Sequence, residues 1–375
     1  MDMTSDIASP PRLHQEAITA RAQYGYIPGL DGLRAVAVLI VLVAHFGLGH
    51  IVPGGFGVTV FFFISGFLIT RLLIAESEKK GRVGMSDFYV RRFIRLIPAL
   101  IGMTFVTTAV HLALDIGAPT PTEFAAANLY FTNYFQIASL SAGESPHMSW
   151  TPLWSLAVEE HFYLMFPLLL VVLRRDWVKV FFVLLAVVAV VPLWRLGVTV
   201  MRPDVAELYT YMATDARIDS IAWGCLFSVG LHLLGSPERL RALVGWVPAG
   251  LALGALLATF VVRDDTFRQV LRFFVQGMAI GVLMLNLYFG QSFRWAFGVL
   301  ELAPLRWVGR VSYGLYLWHF PVLDLVRRME LSAPATVIIA LAASFAVTAL
   351  SFYYWEQRFI GWRKRFGAHI VKAPG

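Results

Sequence analysis

Apolar residues come in runs close to the roughly 20 that a bilayer core demands of a crossing helix. Residues 30–48, 56–74, 96–114, 153–173, 178–196, 218–234, 243–262, 270–289, 311–326 and 334–355 each form such a run. Ten membrane-crossing helices are predicted, with Pro98 tolerated near the start of the third. A further apolar stretch, 124–140 (FAAANLYFTNYFQIASL), carries Asn128, Tyr130, Asn133 and Tyr134. Those side chains suit a wet, protein-lined surface better than lipid, so a re-entrant or interfacial segment is expected there. The fold class predicted is an all-α polytopic membrane protein.

The first two runs are joined by a glycine-rich turn, and the first carries Arg34 and His45. At about 100° per residue, eleven residues make three turns plus roughly 20°, so both side chains share one face about 16 Å apart in rise. Ionisable residues inside a span mark a functional site by default. A snorkelling Arg and a helix-bridging His are the plainer alternative. Ser65 and Gly66 in the second run fit either a substrate path or a small-residue packing face.

Charge then orients the chain. Arg71, Lys79, Lys80, Arg82, Arg91, Arg92 and Arg95 lie between the second and third runs, and most other Lys and Arg fall on that same side. Arg202, Arg263 and Arg327 are among the few opposite. The positive-inside rule makes the basic side cytoplasmic and puts both termini there. It also gives the net charge of +7 a cause other than nucleic-acid binding. The lone cysteine, Cys225, excludes an internal disulfide and a cysteine metal site, and is expected on a packed helix face. No metal site is predicted. Residues 1–28 are expected to form a cytoplasmic tail, 29–357 a membrane domain and 358–375 a basic cytoplasmic tail. No internal repeat supports transporter architecture.

Several short stretches carry chemistry. In RRFIRLIP, Arg92 and Arg95 are neighbours on a helix face, and two forked guanidiniums suit a phosphate or pyrophosphate. In WSLAVEEHFY, Ser155 is a candidate helix cap. Glu159 and Glu160 point roughly 100° apart, so one is expected to meet a cation on another helix and the other an aqueous cavity. In DARIDS, Asp215 and Asp219 share a face while Arg217 points away, which fits a substrate path or a charge-satisfying network. In SYGLYLWHFPV, Tyr313 and Tyr316 share a face and His319 is a second intramembrane histidine, set in a packed span. Glu356 and Arg358 end the tenth run as candidate interfacial anchors.

These stretches, taken in order, resemble the acyltransferase 3 family of bacterial integral-membrane acyltransferases. The matching pieces are LDGLRAVAVLIVLVAHF, GGFGVTVFFFISGFL, FYVRRFIRLIP, LWSLAVEEHFY, DARIDSIAWG and VSYGLYLWHFPV, spread from Leu30 to Val322. The family's Arg and His of the first span match Arg34 and His45, and its paired basic residues match Arg92 and Arg95. The resemblance implies transfer of an acyl group, often acetyl from acetyl-coenzyme A, to a hydroxyl acceptor in the bacterial cytoplasmic (inner) membrane. Two departures stand out: many members have Glu-Pro where Gln357 follows Glu356, and some carry an extra esterase-like domain for which no stretch is seen here.

On that reading His45 is the general base or forms an acyl-imidazole. Arg34, Arg92 and Arg95 hold the coenzyme's phosphates or thioester, and Glu160 orients His45 or a sugar. Ser65, Tyr163, Asp215, Arg217, Asp219, Tyr313 and His319 line the substrate path. Membrane lipid and a glycan or other hydroxyl acceptor are the expected partners. Succinyl or longer acyl transfer to a polysaccharide, lipid or secreted small molecule remains open. So do, from other classes, a glycan transporter or flippase and a non-catalytic scaffold.

Overall fold

The computed structural model describes residues 27–235, 237–290 and 293–363, so the expected N-terminal tail and the end of the basic C-terminal tail lie largely outside the described residues. Among the described residues every regular element is helical. α1 spans Leu30–Val43 and ends in a π turn, Ala44–Leu48; α2 is Gly54–Lys80, α3 Met85–Ala113, α4 Pro121–Asn128 and α5 Thr132–Ser141. α6 is Leu153–Val172, α7 Trp177–Met201, α8 Ala206–Met212 and α9 Thr214–Leu234. α10 is Trp246–Val261, α11 Arg272–Phe289, α12 Arg294–Leu300, α13 Ala303–Arg327 and α14 Ala333–Leu350. A π turn, Ser351–Glu356, leads into α15, Gln357–Arg363.

Among the described residues, seven helical stretches are long and apolar enough to cross a membrane: those containing α1, α2, α3, α6, α7, α11 and α14. Three of the ten predicted spans fall short by that measure for different reasons. α10 is apolar but has 16 residues. α9 and α13 are long enough, with 21 and 25 residues, but carry charge inside. The stretch 124–140 does not form one long helix. It folds into α4 and α5, of 8 and 10 residues, broken at Tyr130 with φ 57°. Helices that short rise only about 12 and 15 Å, too little to cross.

The basic stretch between the second and third apolar runs is mostly helix. α2 runs on to Lys80 and α3 begins at Met85, so only residues 81–84 connect them. Arg91, Arg92 and Arg95 therefore stand on α3 itself. Glu76 clamps this corner through Arg91 at 3.1 Å and Lys80 at 3.0 Å.

α2 is the central helix. Of its most apolar window 67% is buried, against 17% for Ala333–Phe359 on the periphery. α9 and α1 pack on α2, α13 packs on α1, and α7 on α9. Close backbone approach fixes the first contact: a Cβ on Gly224 of α9 would stand 1.9 Å from the Phe63 carbonyl oxygen, and one on Gly66 of α2 would stand 2.1 Å from that of Ile221. Gly66 is thus the packing residue of its pair, and Cys225 sits buried in the same crossing with Sγ 3.4 Å from the Gly66 oxygen.

The charged residues at the start of α9 meet their partners within the bundle. Asp219 pairs with Arg195 of α7 at 2.8 Å, both fully buried. Arg195 also donates to the Ala216 and Val270 carbonyls. Arg217 donates to Thr59 Oγ1 and the Tyr211 carbonyl, and its guanidinium lies 3.6 Å from the Phe273 ring centroid. Asp215 accepts from Trp194, Tyr209 and Tyr134.

Gly224→Val is expected to lower stability by at least about 1–3 kcal/mol through overpacking. Gly250→Val is the comparison, because nothing stands within 4 Å of its added Cβ. Thermal melting of the detergent-purified variants reads the difference, and equal melting points would contradict the packing account.

Candidate active site

A cavity of about 870 Å³, its open mouth included, runs beside α2 from Leu72 to Val58. Fourteen residues of helix correspond to a rise of about 21 Å. On α6 the lining residues Ser155, Glu159 and Tyr163 recur every fourth position and so form one stripe. α13 contributes Ser312, Tyr313 and Tyr316, α1 contributes Arg34, and α3 contributes Arg92 and Arg95. Three arginines from two helices thus face one cavity. Among the described residues no salt bridge engages Arg34.

The two carboxylates of WSLAVEEHFY divide their tasks. Glu160 Oε1 accepts from Arg92 Nε at 3.1 Å and Nη2 at 3.0 Å. The same guanidinium lies on the Tyr163 ring, 2.9 Å from its centroid. Glu160 is therefore committed to α3 and does not reach His45. Glu159, one position earlier, lines the cavity beside Ser65.

At its far end the cavity closes on Ser155 and Tyr316, whose hydroxyls are 2.7 Å apart. Ser155 is not a helix cap: Pro152 holds the N-cap position, and its carbonyl accepts from Ser155 and from Tyr316, the latter at 3.0 Å. One helical turn beyond Tyr316 stands His319, their rings 5.6 Å apart. His319 Nε2 is 2.9 Å from His45 Nδ1. The Arg34 face of α1 and the Tyr316 face of α13 thus converge past the cavity's end on a histidine pair. Neither histidine lines the cavity; Tyr316 stands between. His45 lies in the π turn that ends α1, and its carbonyl accepts from Arg327 Nη2 at 3.1 Å.

Of the residues singled out from sequence, Arg34, Arg92, Arg95, Ser65, Tyr163 and Tyr313 line the cavity. Asp215, Arg217 and Asp219 do not; they belong to the α9 network. His319, expected on the substrate path, does not line the cavity; it is buried and sits 2.9 Å from His45. Ser155, Glu159 and Tyr316 also line the cavity, and the fourfold spacing of 155, 159 and 163 was the available signal. Glu356 turns inward rather than anchoring at an interface: it accepts from Ser351, and its Oε1 lies 3.2 Å from where a Cβ on Gly314 would stand.

A family model described as an acyltransferase domain matches residues 27–356. The chain belongs to the acyltransferase 3 family. The match covers every helix that lines the cavity. Among curated relatives, the peptidoglycan O-acetyltransferase OatA of Listeria monocytogenes is 32% identical over 363 residues, covering 90% of this chain and 56% of the relative. A putative O-acetyltransferase of Staphylococcus aureus strain COL is 28% identical over 373 residues, covering 92% and 60%. The O-acetyltransferase OatA of S. aureus strain NCTC 8325 is 29% identical over 355 residues, covering 88% and 57%. The chain therefore spans a little over half the length of the curated relatives it matches. No solved structure matches it. Acyltransferase 3 membership and the apolar helices make it a multi-pass membrane protein.

The Arg92–Glu160 pair is partly exposed, 18% and 21%. In a double-mutant cycle, Arg92→Ala and Glu160→Ala are expected to couple by about 0.5–3 kcal/mol. Melting of the purified variants measures it; strictly additive single effects would show that the two side chains act apart.

Proposed function

We propose that this protein moves an acyl group, acetyl in the first instance, from an acyl-coenzyme A thioester to a hydroxyl of a cell-envelope glycan. In this reading ten helices cross the bacterial inner membrane and both termini are cytoplasmic. The observation that carries it is the single cavity in which Arg34, Arg92 and Arg95 converge, one tyrosine away from a histidine pair. Forked guanidiniums suit the donor's phosphates. Its thioester then lies along the Glu159–Ser155 stripe toward Tyr316. The family name supports acyl transfer. The relative named for peptidoglycan makes a glycan hydroxyl the first acceptor to examine.

His45 is the general base. It takes the proton of the acceptor hydroxyl as that oxygen forms a bond to the thioester carbonyl carbon. The carbon–sulfur bond then breaks, and the leaving thiolate takes the proton from His45, giving the ester and free coenzyme A. Arg34, on the same face of α1 and held by no salt bridge among the described residues, stabilises the negative charge that develops on the thioester oxygen or holds a donor phosphate. Tyr316 separates the acyl end from the histidines, so its ring has to give way for donor and base to meet. Coenzyme A is a substrate here and needs no permanent site.

Purified protein in proteoliposomes, given labelled acetyl-coenzyme A and envelope glycan, is expected to label the glycan. His45→Ala is expected to lower the rate about 10²–10⁴-fold while inserting and remaining monodisperse. Near-normal specific activity in that variant would move the base elsewhere, and no labelling by the wild type with any acyl donor would contradict the reading as a whole.

Topology is tested separately. With Cys225 buried, a cysteine placed at Gly143, in the exposed turn after α5, is the reporter. Membrane-impermeant thiol reagent is expected to label it from outside in intact cells. Labelling from the cytoplasmic side alone would reverse the orientation.

A further inference from the structure

The contacts of His319 dictate which nitrogen of His45 carries a hydrogen. His319 is fully buried, and its Nδ1 lies 2.7 Å from the Tyr316 carbonyl oxygen and 3.2 Å from that of Leu315. A carbonyl oxygen only accepts, so Nδ1 must be the nitrogen that bears hydrogen. In a neutral ring Nε2 is then a bare acceptor. His45 Nδ1, 2.9 Å away, has to be the donor. That leaves His45 Nε2 as the nitrogen with a free lone pair.

Ring geometry agrees. The two planes differ by 6° and the centroids are 5.1 Å apart. With the nitrogens only 2.9 Å apart, the centroids reach that separation only if both nitrogens lie nearly on the line between them. The rings are therefore coplanar and edge to edge, with the hydrogen bond in the plane of both. Face-to-face stacking is excluded, because it would hold the nitrogens further apart than 2.9 Å. Phe320 packs edge-on against His45 at 5.0 Å and fixes the ring from another side. The opposite polarity, with His319 Nε2–H donating to His45, would set a bare Nδ1 against two carbonyl oxygens. It could be avoided only by a doubly protonated His319. That would bury a cation at 0% exposure with no carboxylate paired to it among the described residues.

We propose that His319 is a positioning residue that holds His45 in the Nδ1–H tautomer, so that Nε2 faces the reaction as the base. The Tyr316 and Leu315 carbonyls, His319 and His45 form a relay of fixed polarity. When Nε2 takes the acceptor's proton, His45 Nδ1–H keeps its acceptor and the imidazolium needs no reorientation. The catalytic part of this rests on His45 being the base; the tautomer does not.

Nitrogen-15 NMR of ring-labelled histidine in detergent-purified protein reads the tautomer directly. His45 and His319 signals are assigned by their loss in His45→Ala and His319→Leu. Both rings are expected as Nδ1–H in the wild type. His319→Leu removes the acceptor, so His45 is expected to lose its Nδ1–H preference and kcat to fall by about 10²-fold or more, with KM for the donor little changed. His319→Gln keeps an acceptor oxygen at the ε position and is expected to restore both the tautomer and much of kcat. An Nε2–H signal for His45, an imidazolium signal for His319, or an unchanged His45 spectrum in His319→Leu would overturn the proposal. If His319→Leu fails to fold, the wild-type spectrum and the Gln variant decide. The predicted tautomers in a protein that transfers no acyl group would uphold the relay and sink the functional reading instead.

Discussion

The hydrogen bond between His45 and His319 joins the π turn that ends α1 to α13, 274 residues away in sequence. Much of the surrounding structure serves that contact. α1 and α13 approach so closely that a Cβ on Gly309 would stand 1.8 Å from the Asp31 carbonyl oxygen. The π turn Ala44–Leu48, non-helical at Phe46 and Gly47, carries His45. Arg327 closes the arrangement from the end of α13 by donating to the His45 carbonyl. In hydrocarbon, polar groups without water have to satisfy one another, and this pair does so through its own rings and two backbone carbonyls.

The same constraint shapes the charged part of the cavity. Arg92 is held by Glu160 and lies on Tyr163, which rigidifies one guanidinium. Glu159 and Arg34 face the cavity, where a ligand can meet them. Farther along the bundle, Arg195 and Asp219 neutralise each other in full burial, and Arg217 is surrounded by Phe62, Trp154, Tyr211 and Phe273. Breaking such a buried pair by removing one partner is costly, about 3–5 kcal/mol. These groups tie α7 and α9 together, while Arg34, Arg92 and Arg95 line the cavity.

Much of this was legible in the sequence, and the remainder has physical reasons for being hidden. Run length finds helices because a bilayer fixes how long an apolar run must be. It misses where they stop, because a helix such as α2 continues to Lys80, through its basic flank, after the apolar run has ended at residue 74. Arg34 and His45 were legible because charge inside a span is rare. Spacing alone told that Glu159 and Glu160 diverge, but not which meets the cation, since that depends on where α3 crosses α6. Asp215, Arg217 and Asp219 look like site residues because burial of charge looks the same from sequence whether a partner helix or a ligand satisfies it. His319 was visible as a polar residue, yet its contact with His45 is a fact of tertiary packing.

The claim that the cavity arginines and the histidine pair beyond Tyr316 serve one reaction meets its most direct test in the structure of the purified protein with a non-hydrolysable acetyl-coenzyme A analogue. The account predicts phosphates against Arg34, Arg92 and Arg95, the Tyr316 ring displaced, and the acyl carbon within reach of His45 Nε2. An analogue bound outside this cavity, or inside it with its acyl end turned away from the histidines, would contradict it.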